Sequence, residues 1–245
     1  MGCDIHLYVE RKTEKQNEDG EDIWEHIPSA RYYESREHQA EVNAGYEKRG
    51  EKPPYDLSKA NDLPCFDPGR NYDLFGMLAN VRNGRGFAGC DTGDGFEPVL
   101  GRKEPTRGIP RNASDFVKAR VYDWDSDGHS HSHLTVAELL AYDLDRTTKS
   151  RGVVDAREYI QFKEHGHPDS WAGGIGGSGV LILSNEEMDK YVAAGCPKDG
   201  SQRFTQVEWS TSYRDEARRF FNKILPALAQ LGPHENVRIV FFFDN

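Results

Sequence analysis

Val237-Arg238-Ile239-Val240-Phe241-Phe242-Phe243 is the stretch that decides the fold of this chain of 245 residues. Six of these seven residues are β-branched or aromatic, a composition typical of strands. A run that is apolar on both faces predicts a strand in the middle of a sheet, covered on both sides. We therefore expect the main sheet of the protein to be built around residues 237–243.

Near the other end of the chain, residues 3–11 alternate between apolar and polar side chains, which predicts a half-buried strand. If this strand lies antiparallel to residues 237–243, Asp244 and Asn245 fall beside Gly2–Asp4. Asp4, His6 and Asp244 would then gather at one end of the sheet, where they could bind a divalent cation or act as acid and base. The alternative is that Asp4 and His6 only line the wet face of an edge strand.

Helices are predicted between these strands. An apolar stripe indicates a helix over Tyr72–Val81, and capping boxes at Thr135-Val-Ala-Glu138 and Ser184-Asn-Glu-Glu187 indicate two more, the first running to about Leu144 and the second ending at Gly195. A longer helix should follow Ser212 and run to Leu231, kinked at Pro226 because proline lacks the backbone donor. Val180–Leu183 is apolar throughout and is predicted to be a buried strand.

The fold class that follows is α+β. We expect a central mixed or antiparallel sheet that contains both chain termini, with helices packed on it and long Gly-rich loops over one end. The stretch 83–112 and the stretch Gly173–Gly179 are the loops in question. No linker is evident, so residues 1–245 are predicted to form a single compact domain with a charged surface insertion around 29–66.

The overall charge and the cysteines limit the function classes. With 41 acidic and 31 basic residues the formal charge is −10, so nucleic acid is not an expected partner. The four cysteines have no CxxC spacing, and there is no long apolar run, so we expect free thiols, no membrane partner and a cytoplasmic location. Homo-oligomerisation stays open.

The densest polar motif is His129-Ser-His131-Ser-His133. In an extended segment, residues two apart face the same way, so three imidazoles could share one metal ion. Imidazole ligands suit zinc or manganese. The alternative is a polar loop that leads into the helix cap at Thr135.

Directly before the histidines, Asp123-Trp-Asp125-Ser-Asp127-Gly128 has the first half of a calcium-loop pattern. The twelfth position of that pattern should be Glu and is Leu134, so an EF-hand is not expected. Calcium in another loop form stays open. A divalent metal, Zn, Mn or Ca, is the predicted cofactor, with Asp4, His6, His129, His131 and Asp244 as its candidate ligands.

Two other stretches could hold a ligand. Gly174-x-Gly176-x-x-Gly179 matches a dinucleotide motif, but the strand follows it instead of preceding it, so a lid, an anion nest or a plain mobile loop is expected instead. Arg107 and Arg111 form part of a basic stretch that could hold phosphate bidentately, or that could be salt-bridged on the surface. Together with Ser130 and Trp171, these two arginines are the predicted ligand-binding residues.

Several blocks together resemble a family of mostly uncharacterised proteins of bacteriophages and bacterial genomes. The resemblance spans the chain and is carried by Met1-Gly-Cys-Asp-Ile-His6, Tyr72-Asp-Leu-Phe-Gly-Met-Leu-Ala-Asn-Val-Arg82, Arg107-Gly-Ile-Pro110, Asp127-Gly-His-Ser-His-Ser-His-Leu-Thr135 and Phe243-Asp-Asn245. It implies a phage or mobile-element setting and a bacterial host cytoplasm. By analogy with accessory proteins in that setting, it points to evasion of host defence through binding or cleavage of nucleotide messengers.

Two functions compete on these grounds. The first is a metal-dependent hydrolase of a phosphate ester or nucleotide-type small molecule, with Asp4, His6 and His129 as the catalytic candidates. The second is a protein that binds and sequesters a nucleotide-like ligand without turnover, in which aromatic and arginine side chains dominate over metal ligands. We rank the hydrolase slightly first because histidines and carboxylates are more numerous than a simple binder needs. A module that binds a virion or host protein is a third class.

Overall fold

The computed structural model describes residues 2–244, apart from the side chain of Phe87. The chain is an α+β protein with seven strands in two sheets among the described residues. The strands are β1 (Ile5–Gln16), β2 (Asp22–Ile27), β3 (His129–Thr135), β4 (Thr147–Asp155), β5 (Val180–Leu183), β6 (Gln202–Ser212) and β7 (Val237–Phe243). The α-helices are α1 (Arg36–Lys48), α2 (Tyr72–Ala79), α3 (Asp115–Trp124), α4 (Val136–Leu140), α5 (Ala156–His165), α6 (Asn185–Ala193), α7 (Tyr213–Glu216) and α8 (Leu225–Ala229).

The chain divides into two compact units, each containing one sheet. The four-stranded unit is formed by Cys3–Asn71, Val99–Tyr142 and the stretch from Arg218 onward. The three-stranded unit is formed mainly by Tyr72–Pro98 and Asp143–Ala217. The assignment of residues 1–245 to a single compact domain stays a prediction.

In the four-stranded unit the strand order is β2-β1-β7-β3. β7 pairs antiparallel with β1 on one side and with β3 on the other, and all seven of its residues are buried. This confirms that residues 237–243 form a central strand and that the strands near both termini share one sheet. On one face Val240 packs against Val117 and Ala113, so α3 covers this side of the sheet.

The segment 29–66 belongs to the same unit. It contains α1, whose first turn is capped by the Ser35 hydroxyl accepting the His38 N–H, and two short 3₁₀ turns. α1 lies within the charged stretch around 29–66. The gathering of Gly-rich loops over one end of the sheet stays a prediction.

The three-stranded unit has the order β4-β6-β5, with β4 antiparallel and β5 parallel to β6. Its core contains Val154, Tyr159, Met188, Val207 and Trp209. The sequence patterns did not reveal β4 and β6. Buried and polar residues alternate in both strands, but several of the buried positions, Ser150, Gly152 and Thr205, are not apolar, which weakens the pattern.

Two sequence-based expectations are corrected. Val180–Leu183 is a strand but not a buried one, because it lies at the sheet edge with Leu181 and Ile182 exposed. The long helix after Ser212 is broken: α7 stops at Glu216, Ala217 has non-helical dihedrals, and a π-helical turn over 220–224 precedes α8. Pro226, near the start of α8, has no N–H to donate to the preceding turn, which accounts for the wider turn there.

Both predicted capping boxes are confirmed, at Thr135 before α4 and at Ser184 before α6. The helix after Thr135 ends at Leu140 instead of continuing to Leu144. α2 ends at Ala79, two residues before the predicted end, and Leu74–Ala79 are all buried. Among residues 2–244, no helix has the length and apolar character needed to cross a bilayer.

Candidate functional site

The antiparallel pairing of β1 with β7 brings three polar residues together at one end of the four-stranded sheet. Asp4 precedes β1 and Asp244 follows β7, so the pairing of Ile5 with Phe243 places them side by side. The Asp4 N–H donates to the Asp244 Oδ1 atom at 2.8 Å, and the Asp244 N–H donates to the Asp4 carbonyl at 3.2 Å. His6 Nε2 lies 3.2 Å from Asp244 Oδ2. The predicted meeting of Asp4, His6 and Asp244 is confirmed, and Asn245 lies outside the described residues.

The ring of His6 is held by its carboxylate and by two aromatic neighbours. It stacks on Phe242 with ring centroids 4.8 Å apart, and the Trp124 ring lies tilted at 4.1 Å. Because a carboxylate only accepts hydrogen bonds, the contact with Asp244 assigns a proton to Nε2. The His6 ring is therefore fixed in orientation, and its second nitrogen, Nδ1, does not take part in this contact.

The Asp4 carboxylate is occupied by Arg70. The Arg70 Nε and Nη2 atoms donate to the two carboxylate oxygens at 2.7 and 2.6 Å. The hydrogen bond from Arg70 holds the pKa of Asp4 below its usual range, so the side chain is ionised at neutral pH. In this arrangement Asp4 acts as the counter-ion of an arginine.

The histidine cluster does not present three imidazoles on one face. Ser130 has a positive φ of 52°, and the β3–β7 register shifts between His129 and Ser132. His129 pairs with Phe243 and stacks on its ring, whereas His131 stacks on Phe242 at 5.1 Å. Neighbouring residues of a strand face opposite sides, so His129 is turned away from His131. The expected common face is wrong for His129 because a β-bulge interrupts the alternation.

The bulge gives each of these histidines a different environment. His129 Nδ1 lies 3.0 Å from the Ser130 hydroxyl, and its Nε2 is buried with no protein partner among the described residues. His133 Nδ1 donates to the Gly108 carbonyl at 3.0 Å. Burial lowers the pKa values of both His131 and His133 below their usual range, so both are neutral at pH 7. His6 and His131 both stack on the Phe242 ring. This one ring therefore contacts a residue from each of the two predicted clusters.

The predicted phosphate-binding residues lie elsewhere. Arg107 donates to both oxygens of Glu138 at 2.8 and 2.5 Å and to the His133 carbonyl, which makes it a brace between a loop and the start of α4. Arg111 is exposed. Trp171 belongs to the three-stranded unit, where it packs edge-on against Trp209.

A groove of about 810 Å³ opens beside Asp4 and His6 within the four-stranded unit. Its floor is the first half of β1, and its walls come from α3 and from the loops around residues 29–33 and 67–70. Ring side chains, arginines and carboxylates line it. They include His6, Tyr8, His26, Tyr33, Phe116, Trp124, Arg31, Arg70, Arg120, Asp4, Asp67 and Asp244.

The rings of the groove form two close pairs, one stacked and one tilted. His26 lies almost parallel to Phe116 with centroids 3.9 Å apart, and Tyr8 meets both rings edge-on. His6 and Trp124 form the other pair. Burial lowers the pKa of His26, so the ring that faces Phe116 is uncharged at pH 7. These flat, partly exposed surfaces can stack against a planar aromatic ligand.

The groove also carries balanced charges, three arginines against three aspartates. Asp67 accepts hydrogen bonds from the N–H groups of Tyr32 and Gly69, and Asp244 accepts from Asp4 and His6. Arg120 lies over the Phe116 ring and pairs with Asp123. Arginines beside aromatic rings suit ligands that are both planar and anionic.

Sequence patterns missed most of the groove. Phe116, Arg120 and Trp124 recur every four residues on α3, so they share one helix face, and this spacing could have indicated them. Alternation places Tyr8 on the same face of β1 as His6, but Tyr8 was not named as a site residue. Arg31 and Arg70 follow no pattern, because loop packing alone directs them toward the groove.

Among residues 2–244, no group of three or more His, Cys, Asp or Glu side chains has the arrangement of a metal centre. The metal assignment to Asp4, His6, His129, His131 and Asp244 stays a prediction. No protein-family model, no curated protein and no solved structure matches this chain.

Proposed function

We propose that the protein binds a small, anionic, aromatic molecule of the nucleotide class in the groove of the four-stranded unit and holds it without turnover. The observation that carries this proposal is the presence of three arginines and two close ring pairs, one stacked and one tilted, around a single groove. Aromatic faces stack on a base, and guanidinium groups pair with phosphate. The volume of about 810 Å³ lies within the range of small-molecule sites and can take a nucleotide.

The balance of side chains favours binding over metal-dependent hydrolysis. The carboxylates of the groove are engaged with Arg70, His6 or backbone N–H groups, whereas several rings present faces to it. In the phage or mobile-element setting implied by the sequence resemblance, such a protein would sequester a nucleotide messenger of host defence. This role is part of the proposal.

The test is a calorimetric titration of the purified chain with AMP, adenosine and inorganic phosphate. We expect AMP to bind most tightly, because only AMP engages both the rings and the arginines. Equal binding of adenosine and AMP would contradict the role of the arginines, and no binding of any of the three would contradict the proposal. Recovery of unchanged AMP after prolonged incubation would support binding without turnover.

The His6–Asp244 pair favours a second candidate, hydrolysis of a phosphate ester. A carboxylate-oriented imidazole with a free Nδ1 has the arrangement of a general base. In this candidate the predicted divalent metal would supply a Lewis acid for the phosphoryl group. Product formation from bis(p-nitrophenyl) phosphate with added Mn²⁺, abolished in His6→Ala and kept in His165→Ala, would favour it over simple binding.

A further inference from the structure

Arg70 is held at the groove by a rigid turn. The Asp67 carboxylate accepts the N–H groups of Gly69 and Tyr32 at 2.8 and 2.9 Å, which ties the turn at both sides. Gly69 has a φ of 71°, and a Cβ at this position would lie 3.3 Å from the Tyr32 ring. The position of the Arg70 side chain therefore depends on local hydrogen bonds and close packing, and the side chain itself extends into an accessible groove.

The Arg70 guanidinium binds the Asp4 carboxylate through the same two donors, Nε and Nη2, that it would use to bind a phosphate. Nε and Nη2 donate to the two oxygens at 2.7 and 2.6 Å, a bidentate geometry that phosphate oxygens reproduce. Both side chains are about half exposed, at 48% and 49%. An exposed pair of this kind contributes little to stability, because water solvates both ions nearly as well.

Asp4 differs from the other two carboxylates of the groove. Asp67 holds backbone N–H groups, and Asp244 holds His6 and a backbone N–H, so both stabilise the protein itself. Asp4 places both carboxylate oxygens on an arginine whose side chain faces the groove. It cancels one of three positive charges at the place where an anion would bind.

We propose that Arg70 is the phosphate-binding residue of the groove and that Asp4 is its built-in competitor, which a ligand phosphate must displace. The inference rests on the proposed nucleotide-binding function and names the residue that sets its selectivity. A phosphate group that carries two charges and three acceptor oxygens outcompetes a single tethered carboxylate, whereas a ligand with one carboxylate does not. Asp4 thereby restricts the groove to strongly anionic ligands.

The inference predicts that removing an acidic residue from the site strengthens binding. Asp4→Asn should raise the affinity for AMP about twofold to fivefold, which corresponds to the small coupling of an exposed ion pair. A metal ligand or a catalytic carboxylate would show the opposite result, because its removal weakens the site. The gain should depend on Arg70 and be absent when Arg70 is replaced.

The experiment is a set of calorimetric titrations with AMP, and with acetate as the singly charged probe. The variants are Asp4→Asn, Arg70→Gln and the double variant, with Asp19→Asn as a control that removes one negative charge from an exposed loop outside the groove. Melting curves of each variant establish that the fold is intact. We expect higher AMP affinity in Asp4→Asn, unchanged affinity in Asp19→Asn, lower affinity in Arg70→Gln, and no gain from Asp4→Asn in the Arg70→Gln background. Acetate should bind measurably only in Asp4→Asn.

Three other outcomes are decisive. If the unaltered protein binds AMP and Asp4→Asn binds it equally or more weakly, the competitor role of Asp4 is overturned while the nucleotide-binding function stands. If neither the unaltered protein nor any variant binds AMP, the proposed function fails and this inference fails with it. An equal gain in Asp19→Asn would assign the effect to overall charge and would overturn the inference.

Discussion

Strand β1 and the residue before it carry two arginine–carboxylate pairs that differ in exposure and in geometry, because Arg70 binds both oxygens of Asp4 whereas Arg238 binds one oxygen of Glu10. Near its start, Asp4 pairs with Arg70, and both side chains are about half exposed. Six residues further, Glu10 pairs with Arg238 of β7 at 2.7 Å, and their side chains are 0% and 5% exposed. The same two chemical groups therefore occur once in water and once in the protein interior.

The surroundings of the buried pair explain its role. The second Glu10 oxygen accepts the Ser114 N–H at 2.6 Å, Arg238 donates to Asn112, and its guanidinium lies 3.8 Å from the Trp24 ring centre. The pair thus joins β1, β7, β2 and the segment that leads into α3. All three guanidinium nitrogens of Arg238 donate to Glu10 or Asn112, whereas the carboxylate that Arg70 binds is one that water could replace. The comparison teaches that burial, together with the additional partners that a buried pair gains, separates a structural ion pair from one that a ligand can open.

The largest expected effect comes from breaking the buried pair. Arg238→Met should lower the free energy of unfolding by about 3–5 kcal/mol, because it leaves the Glu10 carboxylate buried without its counter-ion. Urea denaturation followed by circular dichroism measures this loss. In the double variant Glu10→Leu/Arg238→Met most of the stability should return, since no uncompensated charge is left. A loss below about 1 kcal/mol in Arg238→Met would show that the pair is not the structural contact inferred here.

The second-largest effect is expected in the affinity of the groove for AMP. Phe116→Ala should weaken AMP binding by about 1–3 kcal/mol, the range for loss of one base-stacking ring. Calorimetry measures the change, and Tyr122→Ala is the matched control, because Tyr122 lies on the same helix, is 83% exposed and does not line the groove. Equal affinities of Phe116→Ala and the unaltered protein would remove the ring from the proposed site.

A smaller effect should appear in the pH dependence of stability. The folded-state pKa values of His26, His131 and His133 lie below the usual value of 6.5, and burial is the largest cause for each. Below pH 6.5 the unfolded chain therefore takes up more protons than the folded one. The stability that these neutral rings confer is complete above pH 6.5 and is lost as the pH falls through their folded-state values.

His131→Phe keeps a ring on Phe242 and removes one of these titrations. The difference in urea midpoint between pH 7.5 and pH 5.5 should become smaller in this variant. His165→Gln, on an exposed position of α5, serves as the control and should leave the difference unchanged. If the stability of His131→Phe depends on pH as strongly as that of the unaltered protein, burial does not lower the pKa of His131 in the folded protein.

The smallest effect is expected at the exposed pair itself. Arg70→Gln should change the free energy of unfolding by less than about 1 kcal/mol, because an exposed pair contributes little and both partners stay hydrated. Thermal melting in the absence of nucleotide is the measurement. A loss as large as that of Arg238→Met would mean that Arg70 is structural, and the contrast between the two pairs would disappear.

Some parts of the site could be predicted from local patterns. The apolar run at residues 237–243 indicated a central strand, and alternation over residues 3–11 assigned Asp4, His6 and Tyr8 to one face. Antiparallel pairing of two strands then places their opposite ends together, which is why Asp244 was expected beside His6. Each of these steps depends on periodicity and chain direction, which a sequence contains.

Other parts could not be predicted, because they depend on a bulge or on loop packing. The positive φ of Ser130 turns His129 away from His131, and strict alternation gives no sign of it. Arg107 lies in a basic stretch, as a phosphate-binding residue would, yet its partner is Glu138, 31 residues away in sequence. Strands β4 and β6 were missed because several of their buried positions, Ser150, Gly152 and Thr205, are not apolar.

By itself, the amino-acid sequence determined the α+β class, the central strand and the meeting of Asp4, His6 and Asp244, because strand periodicity and apolar runs are local properties of the chain. Only the tertiary structure decided which charges are exposed and which are buried. Asp4 and Glu10 lie on the same face of the alternating stretch 3–11, but Glu10 contacts Arg238 and the residue that precedes α3, whereas Asp4 lies beside a groove. The energy of an ion pair depends on the water around it, and that water is excluded or admitted by residues distant in sequence.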